Sequence, residues 1–173
     1  MDKKQLRAQQ IQRRKALPLE LKQCWEQIIT KQVFPLLEYY EKIGLYLSMD
    51  FEVDTKPIIR LLSDRLLLAP VVGKEEMAFH PITNGFKTHP YGMIEPIPSS
   101  DVIPEVLVIP MIGFTTEHYR LGFGKGYYDR YLKDFVGDHI GLAFEMDRLD
   151  FKPETWDVPV SRIITEKTIY QIT

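Results

Sequence analysis

The sequence predicts an α/β fold, a single layered domain over residues 1–173 with a mostly parallel central sheet flanked by helices. Three observations carry that expectation. Strand-like apolar runs alternate with stretches at helical spacing, the pattern of crossover connections between parallel strands. The runs VLVIP (Val106 to Pro110) and HIGLAF (His139 to Phe144) are short and rich in branched apolar residues, as buried strands are. A glycine-rich run stands between a strand and a helix, where sheets of this kind gather ligands. At 173 residues and 45% hydrophobic composition the chain can bury one sizeable core, and a second domain is not expected.

Residues 2–16 are good helix formers with Leu6, Gln9, Gln10 and Arg13 at helical spacings. Pro18 suits the start of a second helix carrying Leu21, Trp25, Ile28, Ile29, Val33, Leu36 and Leu37, which Pro35 is expected to kink or divide. Ile43 to Met49 reads as a buried strand. Asp54 or Thr55 then caps a helix over 54–65, with Ile58, Ile59, Leu61 and Leu62 at helical spacing. LLLAPVV (66–72) is a second strand and 77–82 a weaker one. The stretch 83–104 holds Gly85, Gly92, Pro90, Pro96, Pro98 and Pro104, so it reads mostly as loop and as the rim of a cleft. After VLVIP and HIGLAF, IITEKTIYQI closes the chain with strand-like character. In an open sheet the loop after Ile43 to Met49 then lies near the loop after VLVIP.

The net charge of −2 is spread along the chain, which argues against a nucleic-acid footprint over the whole surface. The first fifteen residues are the exception, where Lys3, Lys4, Arg7, Arg13, Arg14 and Lys15 face only Asp2. Cys24 is the single cysteine; it excludes an intramolecular disulfide and is expected to pack a helix. No apolar run reaches the roughly 20 residues of a membrane span and Met1 is followed by charged residues, so a cytoplasmic protein is expected. His80, His89, His118 and His139 show no metal-ligand spacing.

The run RLGFGKGYYDR, Arg120 to Arg130, is the strongest chemical signal. Gly122, Gly124 and Gly126 free the backbone to turn its N–H groups toward an anion, and Lys125 adds a point charge. From Gly126 the text GYYDRYLKDF turns helical, so unsatisfied N–H groups and the helix dipole also favour phosphate. A dinucleotide fingerprint would need glycine where Tyr127 stands, and a Walker A loop would need Ser or Thr where Gly126 stands. Glycines alone could form a plain turn; with Arg120, Lys125, Asp129 and Arg130 an anion site is the better reading.

RLGFGKGYYDR closely resembles the signature of 5-formyltetrahydrofolate cyclo-ligases, also called 5,10-methenyltetrahydrofolate synthetases. KKQLR (Lys3 to Arg7), YLSMDFEVDT (Tyr46 to Thr55) and DVPVSRIITE (Asp157 to Glu166) match in the same order, so the resemblance covers nearly the whole chain. It implies a Rossmann-like fold of the NagB/RpiA/CoA-transferase-like architecture and ATP-dependent cyclisation of 5-formyltetrahydrofolate to 5,10-methenyltetrahydrofolate. ATP would be co-substrate and Mg²⁺ the metal. The resemblance assigns ATP contacts to Lys3 and Arg7 and to Gly122, Phe123, Gly124, Lys125, Gly126, Tyr127, Tyr128, Asp129 and Arg130. Lys125 and Arg120 become the catalytic cations, Asp129 the metal ligand, and Leu47, Met49 and Glu52 the substrate contacts. The substrate is expected to be a folate, polyglutamylated or not, with no nucleic-acid or membrane partner, and the assembly a monomer or small homo-oligomer.

Two departures qualify the resemblance. Relatives commonly have Asp where Ser161 stands, leaving Asp157 as a nearby substitute, and often show Phe-Asp then Gly where this chain has Phe114, Thr115 and, further on, His118. They motivate a second reading, a folate- or nucleotide-binding module without turnover. A third reading makes the basic N-terminus an RNA-binding arm.

Overall fold

The structure is a computed structural model and describes residues 1–172. Helix α1 (Lys3–Lys15) opens on a reciprocal cap: Asp2 accepts from the Gln5 amide at 2.8 Å while the Gln5 side chain accepts from the Asp2 amide at 3.0 Å. Arg13, Arg14 and Lys15 stand in its last turn, where the dipole favours cations. Helix α2 (Leu19–Leu37) follows Pro18 and buries Ile29, Val33 and Leu37. Pro35 does not divide this helix in two. It stands in the last turn, where its missing N–H forfeits a single late hydrogen bond.

Strand β1 (Lys42–Leu45) is shorter than expected, because the chain leaves the sheet at Tyr46 to form a loop. The helix expected over 54–65 contracts to α3 (Lys56–Leu61). Asp54 accepts from the Lys56 amide at 2.9 Å, while Thr55 turns its hydroxyl inward to the Tyr46 carbonyl at 2.8 Å. Strands β2 (Leu66–Val72) and β3 (Met77–Pro81) pair antiparallel. The stretch read as loop contains a hairpin of β4 (Phe86–Thr88) and β5 (Ile94–Pro96). Strand β6 (Val106–Pro110) is buried throughout. A small hairpin, β7 (Gly113–Phe114) and β8 (Arg120–Leu121), then intervenes before helix α4 (Tyr127–Asp134). Strands β9 (Asp138–Leu142), β10 (Arg162–Ile164) and β11 (Ile169–Gln171) complete the fold.

The seven-stranded sheet has the order β11-β10-β9-β6-β1-β2-β3. Its five inner strands are parallel and its two edges antiparallel. On one face Val106 and Val108 pack with Ile29, Val33 and Leu37 of α2; on the other Leu107 and Ile109 pack with Leu132 of α4. Both faces are therefore covered, and this is the α/β architecture with a mostly parallel, helix-flanked sheet that the sequence predicts. The strand order reverses between β1 and β6, and a crevice opens beyond the carboxyl ends of strands at such a point. Among the described residues no helix is long and apolar enough to cross a membrane.

Candidate active site

A cavity of about 620 Å³ occupies that crevice, within the range of small-molecule sites. Lys3 and Arg7 of α1, Tyr46, Leu47, Met49 and Glu52 after β1, and Pro70 and Val72 of β2 form part of its wall. The β4–β5 hairpin contributes Tyr91, Met93, Ile94 and Glu95, and the far wall is Pro110, Arg120 to Asp129, Glu154, Trp156 and Asp157. Every candidate named from the sequence except Arg130 lies on this wall. Arg130 instead donates to the Glu75 carbonyl at 2.9 Å and lies over the Tyr127 ring, because its place on α4 turns it to the helix's other side.

The glycine loop is built as its composition requires. Gly124 (φ 87°) and Gly126 (φ 74°) are left-handed, a region costly for residues with a Cβ, and Gly126 is the N-cap of α4. A Cβ at Gly122 would collide with the Arg120 guanidinium that lies beneath the loop. Arg7 ties α1 to this loop, its Nε donating to the Gly122 carbonyl at 2.7 Å. Lys125 is exposed, with its Nζ 4.5 Å from the centre of the Tyr91 ring.

Arg120 is held loosely for a buried cation. Its Nη2 reaches Asp129 at 3.3 Å, its Nη1 reaches the Pro110 carbonyl at 3.5 Å, and its Nε is buried without a hydrogen-bond partner. A desolvated guanidinium with donors to spare is arranged for an anion. Lys3 pairs with Asp157 at 2.7 Å, and Asp129 accepts from the Val158 amide at 3.3 Å. Ser161 is outside the lining. It exchanges backbone and side-chain contacts with His139, and the acidic side chains on this wall beside Asp129 are Glu154 and Asp157.

Glu52 is 5% exposed and accepts from the Met49 amide at 2.8 Å. Burial pushes its carboxyl up to about 7, against the opposing pull of that amide and of Arg14 and Lys22. Burial likewise raises Tyr46 and Tyr128, with the Glu52 charge adding to both. Leu47 and Met49 give the neighbouring wall its apolar surface.

Several sequence expectations change here. Thr115 and His118 are buried in the β7–β8 turn, where His118 takes φ 69° and its Nδ1 lies 3.1 Å from the Val160 carbonyl. They shape the hairpin outside the cavity lining. Trp156 is 67% exposed at the cavity rim, and Cys24 is exposed rather than packed. The basic N-terminus is no free arm, because Arg14 is buried and Lys3 and Arg7 are engaged at the cavity. The stretch 83–104 reaches the cavity rim as expected, but its hairpin and the lining side chains Tyr91, Met93, Ile94 and Glu95 were not anticipated. The turn residues Pro90 and Gly92 were the available signal, but the short flanking strands lack a clear alternation.

Comparison with known proteins gives a concordant result. The 5-formyltetrahydrofolate cyclo-ligase family profile matches residues 1–166. The 5-formyltetrahydrofolate cyclo-ligase of Mycoplasma pneumoniae is 30% identical, over 96% of this chain and 100% of that protein. The enzyme of the same name from Escherichia coli K12 is 28% identical, over 92% and 98%. Among solved structures, a 5,10-methenyltetrahydrofolate synthetase from Mycoplasma pneumoniae superposes with a TM-score of 0.79 at 30% identity, covering 96% of this chain and 99% of that one. The 5,10-methenyltetrahydrofolate synthetase of Aquifex aeolicus gives 0.85 at 29% identity, covering 99% and 93%. A profile match over nearly the whole length, relatives matched almost end to end and the shared fold together mean that this chain belongs to the 5-formyltetrahydrofolate cyclo-ligase family.

Proposed function

We propose that the protein converts 5-formyltetrahydrofolate and ATP to 5,10-methenyltetrahydrofolate, ADP and phosphate in the cavity between β1 and β6. The observation that carries this reading is the juxtaposition, in one cavity, of a phosphate-type glycine loop and the under-bonded Arg120 with a buried carboxyl beside apolar surface. The first half suits a triphosphate and the second a pterin. A carboxylate can accept paired hydrogen bonds from a ring N–H and the exocyclic amine, and Leu47 and Met49 offer contact to the ring plane.

The formyl oxygen is a poor leaving group and must be activated. It attacks the γ-phosphorus, the bond to the ADP oxygen breaks, and an imidate phosphate forms. The neighbouring nitrogen then closes the five-membered ring on the formyl carbon, losing its proton, and phosphate departs with the original formyl oxygen. The protein's task is positioning and charge. Lys125 and Arg120 face the transferring phosphoryl, the loop Gly122 to Tyr128 receives the phosphates, and Lys3 and Arg7 hold ATP from the α1 side. Glu52 orients the pterin.

Magnesium fits these residues as a metal carried by the nucleotide. Among the described residues no three His, Cys, Asp or Glu side chains form a cage, but Asp129 and Asp157 share one wall. One or two carboxylates completed by phosphate oxygens and water is the ion's usual arrangement. There it would neutralise phosphate charge.

The test is to mix purified protein with 5-formyltetrahydrofolate, ATP and Mg²⁺ and follow the near-ultraviolet absorbance of the methenyl product. Growth that requires ATP is expected. Binding of both ligands without growth would replace this reading with the non-catalytic module.

A further inference from the structure

One face of α1 is divided between two tasks. Residues 3, 7, 10 and 14 follow one another at spacings of four, three and four, so they share a stripe. Its first half, Lys3 and Arg7, faces the cavity. Its second half, Gln10 and Arg14, enters a sealed cluster in which Gln10 and Asp147 are fully buried and Arg14 is 2% exposed. Arg14 is not on the cavity wall.

The Arg14 guanidinium joins four separate stretches of chain. Its Nη2 donates at 2.7 Å both to Asp147 Oδ2 and to the Met111 carbonyl, and its Nη1 donates to the Phe51 carbonyl at 3.3 Å. Its Nε lies 3.2 Å from each Asp147 oxygen, and its carbon sits 5.3 Å from the centre of the Phe144 ring. Asp147 is fixed in turn by Gln10 Nε2 at 3.1 Å and by the Phe144 amide at 2.8 Å. Phe51 immediately precedes Glu52, and Met111 immediately follows Pro110 of the cavity wall.

We propose that Arg14 is a positioning residue that sets the distance between the nucleotide-facing half of α1 and the Glu52 loop, so that both ligands are held in reacting register. This rests on the functional reading above. Packing alone does not require the arrangement, since a buried ion pair contributes little net stability compared with apolar residues of similar volume. Lysine cannot replace it, because an ammonium is a point donor whereas the planar guanidinium reaches Asp147, Met111 and Phe51 in different directions at once.

The experiment compares wild type with Arg14→Lys, and with the milder Gln10→Met, at a temperature where circular dichroism shows each fully folded. Calorimetric Kd values for Mg-ATP and for 5-formyltetrahydrofolate are measured separately, alongside KM and kcat. Arg14→Lys should weaken both ligands and lower kcat, each by about tenfold or more, since a misplacement of about 1 Å from a change far from the chemistry costs up to about 100-fold in rate. Gln10→Met should move both in the same direction by less. A purely structural role predicts a lower unfolding midpoint with both affinities within about twofold of wild type, and that result overturns the proposal. Loss of affinity for one ligand alone also overturns it. A wild type that binds both ligands but turns over neither would strike the cyclisation reading and leave the affinity comparison to judge Arg14; a wild type that binds neither overturns both.

Discussion

Glu52 is the residue at which burial meets the pterin recognition proposed above. Its folded pKa of about 7 lies above the ordinary 4.5, so the folded state holds the proton more tightly than the unfolded chain does. Its contribution to stability is complete below about pH 4.5 and is lost as pH rises through about 7, a change of roughly 3 kcal/mol. Urea midpoints across that window should therefore fall with rising pH by less in Glu52→Gln than in wild type. Pterin donors favour the ionised carboxylate, so affinity for 5-formyltetrahydrofolate should drop as pH falls below about 7. The same titration in Glu52→Gln should be nearly flat. Lys125→Ala should lower turnover by about 100-fold or more if the ammonium acts on the transferring phosphoryl; turnover close to wild type removes that role while leaving the family assignment intact. Residues of this kind were legible because their chemistry is local: a lysine among glycines and an acid after a strand. Arg14 was not, since nothing in its neighbourhood of basic residues separates a buried guanidinium from solvated ones until Asp147 and Met111 are folded against it.

At the scale of elements, the glycine loop and α1 are fastened to one another where Arg7 meets the Gly122 carbonyl. Gly124→Ala places a Cβ at φ 87° and 3.2 Å from the Arg7 guanidinium carbon. Forcing an L residue into that region costs about 1–2 kcal/mol. ATP affinity should fall by about five- to thirtyfold while folate affinity is nearly unchanged, which separate calorimetric titrations of the two ligands would check. The order of the main elements could be read from periodicity, and the buried strands from their branched residues. The β4–β5 hairpin could not, because three-residue strands are too short to display a period and its prolines and glycines read as punctuation. Strand β1 and helix α3 came out shorter than expected for a related reason. Apolar residues at their ends, such as Leu47 and Leu62, continue the pattern while serving the cavity wall or the core rather than the element.

For the whole molecule, the reversal of strand order beside β1 explains why residues from widely separated stretches of the chain converge on one crevice. Saturating ligand should then stabilise the fold globally. At about 100 times Kd the gain is about 2.7 kcal/mol, or roughly 5–10 °C in Tm for a chain of this size, measurable by thermal unfolding with and without Mg-ATP. The sequence could predict the layers and that the loops after Ile43 to Met49 and after VLVIP lie near one another, because those follow from alternation and from the open-sheet topology. It could not predict which distant side chains touch, since contact across the sheet depends on packing that no local pattern encodes. The Lys3–Asp157 pair joins positions 154 residues apart in the sequence. During synthesis the first helix therefore leaves the ribosome long before its partner exists, and this contact closes only after 154 further residues have been joined. Such long-range closure slows folding and leaves the early basic helix without its acidic counterpart meanwhile, so a ligand that needs this wall would stabilise finished chains but not nascent ones.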